Sequence, residues 1–188
     1  RYLLVNGLSQ ENYLRENYYP DMVEIENGYF FQRRAADALK EFLAAARAQG
    51  FTVSISRTYM SYPDQRTRFN GMASTIYDRG EMSLADAEKK VTEMGYYPGA
   101  DEHQTGLAVN FVGENAEAKF STPVLEWMRE HCAEYGFILR YPTDKSATTG
   151  IGYEPWHYRY VGKEAASAIT QSSLCLEEWL VETYHIQA

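Results

Sequence analysis

The sequence contains little of what would mark a zinc finger, a membrane protein or a nucleic-acid binder. Only two cysteines occur in 188 residues and no Cys-x-x-Cys pair is present, so the spacing of a zinc finger is missing. No apolar run approaches the roughly 18 residues that a membrane-spanning helix requires. No long basic run is present, and the net charge is −8, which argues against a general nucleic-acid binder and against binding to a strongly anionic membrane surface.

What is present is the composition of a globular chain, with 45% hydrophobic and 23% charged residues. A length of 188 residues suffices for one domain with a sizeable core and is short for two, so we expect a single domain over residues 1–188, and a monomer. The chain starts at Arg1 and contains no signal peptide, from which we expect a trimmed chain whose natural form carries an export signal. We expect Cys132 and Cys175 to be buried free thiols, and a disulfide stays the alternative.

Helical and extended segments follow one another without the alternation typical of a parallel sheet. Apolar spacings of three and four residues, together with capping signals, predict helices over 30–49, 63–80, 83–94, 122–136 and from 162 onward. Short runs of β-branched and aromatic residues predict strands at 51–56, 105–111, 137–142 and 156–162. The segment before Phe30 contains Pro20 and is interpreted as an irregular lead-in. We therefore expect an α+β fold with a small antiparallel sheet flanked by helices.

Two short segments carry residues suited to metal chemistry. "EHQTGLAVNF" (102–111) contains His103, and "YEPWHY" (153–158) has Glu154 three residues before His157. A catalytic zinc site uses nitrogen, sulfur or carboxylate ligands and keeps one position open for water, whose proton a nearby carboxylate accepts. The two histidines can supply nitrogen ligands, and Glu154 can serve as the base.

Histidines in proteins are more often hydrogen-bonded polar residues than metal ligands, and the chain has only four. We interpret His131, on a predicted helix, and His185, in the terminal segment, as structural or surface residues. From spacing alone, a metal site at His103 and His157 and two ordinary polar histidines are equally well supported.

The segments 98–111 and 149–162 resemble the two signature segments of the VanY-type D-alanyl-D-alanine carboxypeptidases. That family belongs to the zinc peptidases with a Ser-x-His-x-x-Gly-x-Ala-x-Asp motif and a later Glu-x-x-His. The resemblance runs along nearly the whole chain, including "RRAADALKEFLAAARAQG" (33–50), "VSISRTY" (53–59) and "YGFILRYP" (135–142). It implies the fold of these enzymes, a Zn²⁺ cofactor, a peptidoglycan stem peptide as substrate, and a location outside the cytoplasm at the cell envelope.

The resemblance also implies roles for individual residues. His103 and His157 match the zinc-binding histidines, and Glu154 matches the catalytic base. Arg57 matches an arginine that holds substrate and stabilises the oxyanion. Four further positions are implied or hypothesised to contact the peptide: Gln65, whose distance of eight positions from Arg57 weakens the match, Asp101, Tyr141 and Trp156. The alternative for Tyr141 and Trp156 is core packing.

Two positions depart from the family pattern at the metal. Asn110 stands where the family has the Asp that is the third zinc ligand, and Asp101 stands where it has Ser. An asparagine offers only a neutral carbonyl oxygen, so we expect weaker zinc binding. One hypothesis is that Asp101 returns the lost charge, as a ligand or as a partner of a histidine. The alternative is an exposed loop carboxylate beside a degenerate site, and the sequence leaves open whether Asn110 is natural or introduced.

The sequence thus predicts a zinc-dependent D-alanyl-D-alanine carboxypeptidase acting on peptidoglycan stem peptides, with Asn110 placing its activity in question. The alternative of a different class is a catalytically impaired relative that binds cell-wall peptide without cutting it. A related specificity, as a D,D-dipeptidase, an L,D-carboxypeptidase or an endopeptidase, stays open because groove shape determines it.

Overall fold

A computed structural model of the chain describes residues 2–80, 82–113 and 122–185. The strands are β1 (Met22–Glu26), β2 (Tyr29–Gln32), β3 (Ser54–Arg57), β4 (Ala108–Val112), β5 (Phe137–Leu139) and β6 (His157–Tyr160). The α-helices are α1 (Arg33–Ala48), α2 (Tyr62–Asp78), α3 (Leu84–Glu93), α4 (Thr122–His131), α5 (Ser146–Thr149), α6 (Lys163–Ser172) and α7 (Leu176–Tyr184). Short 3₁₀ helices cover Gln10–Asn12, Glu102–Thr105 and Cys132–Tyr135.

The main sheet has four strands in the order β3-β4-β6-β5, and each neighbouring pair is antiparallel. The predicted α+β fold with a small antiparallel sheet is therefore confirmed. Strands β4 and β6 lie in the centre, so the segments that contain the two motifs hydrogen-bond to each other directly. The motifs, distant in sequence, meet because their strands are neighbours.

A second sheet, the hairpin of β1 and β2, corrects the interpretation of the segment before Phe30 as an irregular lead-in. The turn consists of Asn27 and Gly28, both with positive φ, 51° and 79°. Asn-Gly is the preferred pair for a two-residue hairpin turn, because both positions need a left-handed backbone. Helix α1 accordingly starts at Arg33 and not at Phe30.

The core lies between α1 and the main sheet. The buried face of α1 repeats at steps of three and four residues and consists of Ala35, Leu39, Phe42, Leu43 and Ala46. This face packs against the apolar side of the strands, which includes Ile55, Val109, Phe111 and Tyr158. Asn110 and His157 alternate with these core residues along β4 and β6 and therefore lie on the opposite face of the sheet, where the core supports the candidate site.

Phe42 is the centre of an aromatic cluster. Its ring is fully buried and lies 5.3–6.2 Å, centroid to centroid, from those of Phe111, Trp127, Tyr135, Phe137 and Tyr158. We expect Phe42→Ala to lower the free energy of unfolding by about 3–5 kcal/mol, because it opens a cavity that five rings cannot close. Urea denaturation measures the change.

The matched control for this substitution is Phe30→Ala, since Phe30 is 45% exposed. We expect it to change the free energy of unfolding by only about 0.5 kcal/mol. Equal losses from the two substitutions would contradict the position of the core between α1 and the sheet.

The C-terminal segment forms two helices, whereas the sequence pattern predicted one helix from residue 162 onward. Helix α6 ends at Ser172, Ser173 adopts a left-handed backbone with φ of 56°, and α7 restarts at Leu176. The cysteines are free and buried in the described part of the chain, as predicted. None of the helices within the described ranges has the length and apolar character needed to cross a membrane.

Candidate metal centre

Three candidate residues form a row across the main sheet. Asn110 on β4 is paired with Arg57 on β3 on one side and with His157 on β6 on the other. The β3–β4 register shifts between Ile55 and Arg57, so a β-bulge precedes the arginine. A bulge changes the direction of the side chains next to it. The side chain of Arg57 accordingly lines the same cavities as Glu154.

His103 reaches the row from the 3₁₀ helix Glu102–Thr105. The carboxylate of Asp101 caps this helix by accepting a hydrogen bond from the backbone N–H of His103 at 3.0 Å. The helix ends at Gly106, whose φ is 68° and where a Cβ atom would lie 2.7 Å from the sulfur of Met22. Only glycine fits this turn without strain, which explains the tight frame around the histidine.

The sequence "EPWH" forms a turn that brings Glu154 back onto His157. The backbone N–H of His157 donates to the carbonyl of Glu154 at 3.1 Å, and Pro155 occupies the second position, where its fixed φ is suitable. The same turn places a carboxylate oxygen of Glu154 3.1 Å from Nδ1 of His157. The three-residue spacing of the motif is therefore the geometry of one turn.

The side chains of His103, Asn110 and His157 converge on one point. The two imidazole centroids lie 4.9 Å apart, and Nε2 of His103 is 3.1 Å from Oδ1 of Asn110. No group of three or more His, Cys, Asp or Glu side chains within residues 2–80, 82–113 and 122–185 is arranged to hold a metal ion. A metal here would therefore depend on the neutral amide of Asn110 as its third ligand.

The contact between His103 and Asn110 tests whether a cation fits. Nδ1 of His103 lies 2.7 Å from the carbonyl of Thr58, which can only accept, so Nδ1 carries the proton and Nε2 presents a lone pair. Oδ1 of Asn110 also presents lone pairs, and two ligands of one tetrahedral zinc lie about 3.3 Å apart. The 3.1 Å contact therefore suits two atoms that bind the same cation. Without a cation, the side-chain amide of Asn110 turns over so that its NH₂ group donates to Nε2 of His103. The residues fit zinc with one weak ligand.

The two histidines differ in how readily they bind a cation. Burial, followed by the positive charge of Arg57, lowers the pKa of His103 to about 3, so its ring stays neutral into acid. Burial also acts to lower the pKa of His157, but hydrogen bonds with Glu102 and Glu154 outweigh it and raise the pKa above its usual value. A cation must displace a proton from His157, so metal affinity rises as pH increases through that raised pKa.

Asp101 is buried, with 9% of its surface exposed, which does not match an exposed loop carboxylate. One oxygen binds the backbone of His103, and the other lies 3.5 Å from Nη2 of Arg57. Its contacts are thus with backbone and with an arginine, not with an imidazole ring. The Nε atom of Arg57 is buried and has no partner among the described residues, so the guanidinium keeps an unused donor.

The remaining candidates differ in whether they line the cavity. Gln65 is buried, and its amide binds the backbone of Met60, Gly99 and Asp101, so it supports the loop before His103. A substrate contact would have to displace one of these bonds. Tyr141 packs edge-on against His157, with ring centroids 4.7 Å apart, and lines the cavity with Glu154. Trp156 is half-buried and lines the adjoining cleft with Arg57 and Asn110.

Glu102 is a residue that the motif spacing did not single out. It is buried, and one carboxylate oxygen lies 2.9 Å from Nε2 of His157. Its partners also include Arg140 and Arg159, which stand in predicted strands as charged residues among apolar ones. The two arginines within otherwise apolar strand segments were the signal in the sequence. A charge buried in a strand needs a partner of opposite charge, and Glu102 is that partner.

The small antiparallel sheet, the 3₁₀ helix and the turn before β6 bring two histidines, an amide and a carboxylate together beside an arginine. This arrangement is that of a metallopeptidase-like domain. Residues 29–163 match the family described as VanY, D-alanyl-D-alanine carboxypeptidase. The chain belongs to the VanY family, in agreement with the resemblance of its two motifs.

The relatives agree with this assignment. The D-alanyl-D-alanine carboxypeptidase of Enterococcus faecalis is 36% identical over 180 residues, which is 95% of this chain and 65% of that protein. A solved structure of VanYB in complex with D-alanine-D-alanine superposes with a TM-score of 0.82 at 33% identity, over 96% of this chain and 97% of that one. A structure of a point mutant of the D,D-pentapeptidase VanY in complex with Zn(II) has a TM-score of 0.80 at 34% identity, over 94% and 97%.

The chain spans less than two thirds of the length of the first curated relatives it matches, at 53% and 65%. It covers nearly all of the solved VanY structures, which establishes their fold here. The Enterococcus faecalis relative is a D-alanyl-D-alanine carboxypeptidase, and the relative whose structure contains Zn(II) is a D,D-pentapeptidase.

Proposed function

We propose that this chain is a zinc-dependent D-alanyl-D-alanine carboxypeptidase domain that hydrolyses the terminal peptide bond of peptidoglycan stem peptides outside the cytoplasm. The observation that carries the proposal is the convergence of His103, His157 and Asn110 beside Glu154. The zinc and the D-alanine-D-alanine in solved VanY relatives support the cofactor and the substrate class.

Three side chains would hold the zinc: Nε2 of His103, Nδ1 of His157 and Oδ1 of Asn110. When bound, the ion would supply Lewis acidity toward water and the scissile carbonyl. Because two ligands are neutral imidazoles and the third is a neutral amide, none of them balances the charge of the dication. We therefore expect weaker zinc binding than at a site whose third ligand is a carboxylate.

The other residues act on the substrate. Glu154 is partly exposed in the cavity and accepts the proton of the attacking water at its carboxylate, then delivers it to the leaving amine. Arg57 lines the cavity with Glu154, and its guanidinium charge can stabilise the negative charge that develops on the carbonyl oxygen. Tyr141 holds the ring of His157 edge-on, which restricts its rotation.

A second function is favoured by one observation, the neutral side chain at position 110. With low zinc occupancy, the groove formed by Arg57, Trp156 and Tyr96 would bind a wall peptide without cutting it. The chain would then act as a peptide-binding relative of the active enzymes.

Zinc stoichiometry and product release separate the two functions. The purified chain is dialysed against zinc, its metal content is measured, and release of D-alanine from a stem pentapeptide is assayed. Near-stoichiometric zinc with turnover supports the carboxypeptidase. Peptide binding without zinc and without release supports the peptide-binding relative, and absence of both zinc and peptide binding contradicts each function.

Asp101→Ser tests whether Asp101 acts on the substrate or on the metal. A serine can still cap the 3₁₀ helix, as Ser61 and Ser83 cap their helices, but it leaves Arg57 without a carboxylate partner. We expect a peptide with a free terminal carboxylate to bind about fivefold more tightly, a gain of about 1 kcal/mol, because Arg57 is then free to pair with that carboxylate. The same peptide with an amidated C-terminus should bind with unchanged affinity. Calorimetric titration with both peptides measures the difference.

Zinc affinity is measured on the same Asp101→Ser protein. We expect a loss of less than about tenfold, because the carboxylate contacts Arg57 and backbone and acts on the two imidazole rings only through space. A loss of more than about tenfold in zinc affinity, without a change in peptide preference, would instead assign Asp101 to compensation for the missing ligand charge.

A further inference from the structure

A fully buried ionic network lies behind the candidate metal centre. Glu102, Arg140, Arg159 and Glu177 are each at most 2% exposed. Arg140 donates to Glu102 at 2.9 Å and to both oxygens of Glu177 at 2.6 and 2.8 Å, while Arg159 donates to Glu102 at 2.9 Å. Two carboxylates face two guanidinium groups, so the formal charges cancel. Burying charges is costly unless they are paired in this way.

Glu102 is the member of this network that reaches the candidate site. One of its oxygens, Oε2, accepts from both Arg140 and Arg159. The other oxygen, Oε1, lies 2.9 Å from Nε2 of His157. Because a carboxylate that receives two guanidinium donors can only accept, Nε2 of His157 must carry a proton. Nδ1, on the other edge of the ring, faces Glu154 and the point where the ligands converge.

We propose that Glu102 is a positioning residue for the metal centre, which fixes the ring of His157 in the orientation and tautomer that present Nδ1 to the ion. The inference rests on the proposed function. Metal-binding histidines commonly donate their second ring nitrogen to a carboxylate, which orients the ring and raises its basicity. Here the two arginines hold that carboxylate, and Arg140 connects it to Glu177 on α7.

The network also fixes distant parts of the chain. Asn6 donates to Glu177, and Arg159 donates to the carbonyl of Leu3 at 2.7 Å, so the N-terminal segment and α7 pack on the same charges. A purely structural network would serve only to hold these segments. The test must therefore use a signal from the imidazole of His157 itself.

Glu102→Gln distinguishes the two roles. The arginines claim the amide oxygen of the new side chain, since they can only donate, so its NH₂ group faces Nε2 of His157. That nitrogen must then accept, and the proton moves to Nδ1, the nitrogen that should bind zinc. We expect long-range ¹H–¹⁵N spectra of the metal-free protein, at alkaline pH where the ring is neutral, to change from the Nε2–H to the Nδ1–H tautomer. Zinc affinity is expected to fall by about 10- to 100-fold.

The control is Glu177→Gln, which perturbs Arg140 in the same network without contacting His157. We expect it to lower the melting temperature yet keep the Nε2–H signature, with zinc affinity within about threefold. Thermal unfolding of each variant establishes that it is folded. Both substitutions are made in the native chain and in the Asn110→Asp chain, and zinc is titrated in competition with a chromogenic chelator.

The outcomes separate this inference from the proposed function. An unchanged Nε2–H signature in folded Glu102→Gln, or equal losses of zinc affinity in both variants, would overturn the positioning role while leaving the metal site in place. A change of tautomer in chains that bind no zinc, even with Asn110→Asp, would support the role of Glu102 and contradict the proposed zinc site.

Discussion

Asn110→Asp is expected to raise zinc affinity by at least about 100-fold, more than the 10- to 100-fold effect typical of groups that act through a ligand. The amide oxygen already lies 3.1 Å from Nε2 of His103, so the carboxylate needs no movement of β4 to reach the ion. It adds a full negative charge to a centre whose other ligands are neutral imidazoles. Competition titration measures the affinity, and D-alanine release at limiting zinc should rise in proportion to occupancy.

Asn70→Asp is the matched control, because Asn70 is exposed on α2 and the substitution adds the same net charge away from the site. We expect its zinc affinity and turnover to equal those of the unaltered chain. If the unaltered chain already binds zinc stoichiometrically and Asn110→Asp adds no activity, the third ligand is not limiting. The impairment attributed to Asn110 would then be wrong.

The motifs could be predicted because their signals are local. "EPWH" forms one turn, so the spacing of Glu154 and His157 already contains the geometry. The amphipathic face of α1 repeats with the period of a helix and packs as expected. The β1–β2 hairpin was also predictable in principle, since Asn27-Gly28 is a strong turn signal, but Pro20 shortly before it favoured an irregular segment.

Other features depend on contacts that the sequence does not indicate. The break between α6 and α7 falls at Ser173, where neither Gly nor Pro marks the end of the helix, and packing of α7 onto the core overrides the local pattern. The partners of Glu102 lie 38 and 55 residues away, in Arg140 and His157. These residues meet only in the folded sheet, so the link between Glu102 and the site could not be predicted from the spacing of the motifs.

Glu154→Gln, made in the Asn110→Asp chain, is expected to lower kcat for D-alanine release by about 10²- to 10⁴-fold, the usual contribution of a general base. The glutamine keeps the size of the side chain and its place in the turn before His157, so binding of the stem peptide should persist. Steady-state kinetics with a stem pentapeptide measures the change. Glu88→Gln, at an exposed position of α3, is the matched control.

Zinc binding by the same Glu154→Gln variant separates a base from a ligand. The Glu154 carboxylate helps to raise the pKa of His157, so its removal lowers that pKa and weakens the competition between the proton and zinc. Zinc affinity at mildly acid pH should therefore stay equal or rise slightly, and its pH profile should shift toward lower pH. A large loss of zinc affinity at every pH would make Glu154 a ligand, and the proton transfer assigned to it would need another carboxylate at the site.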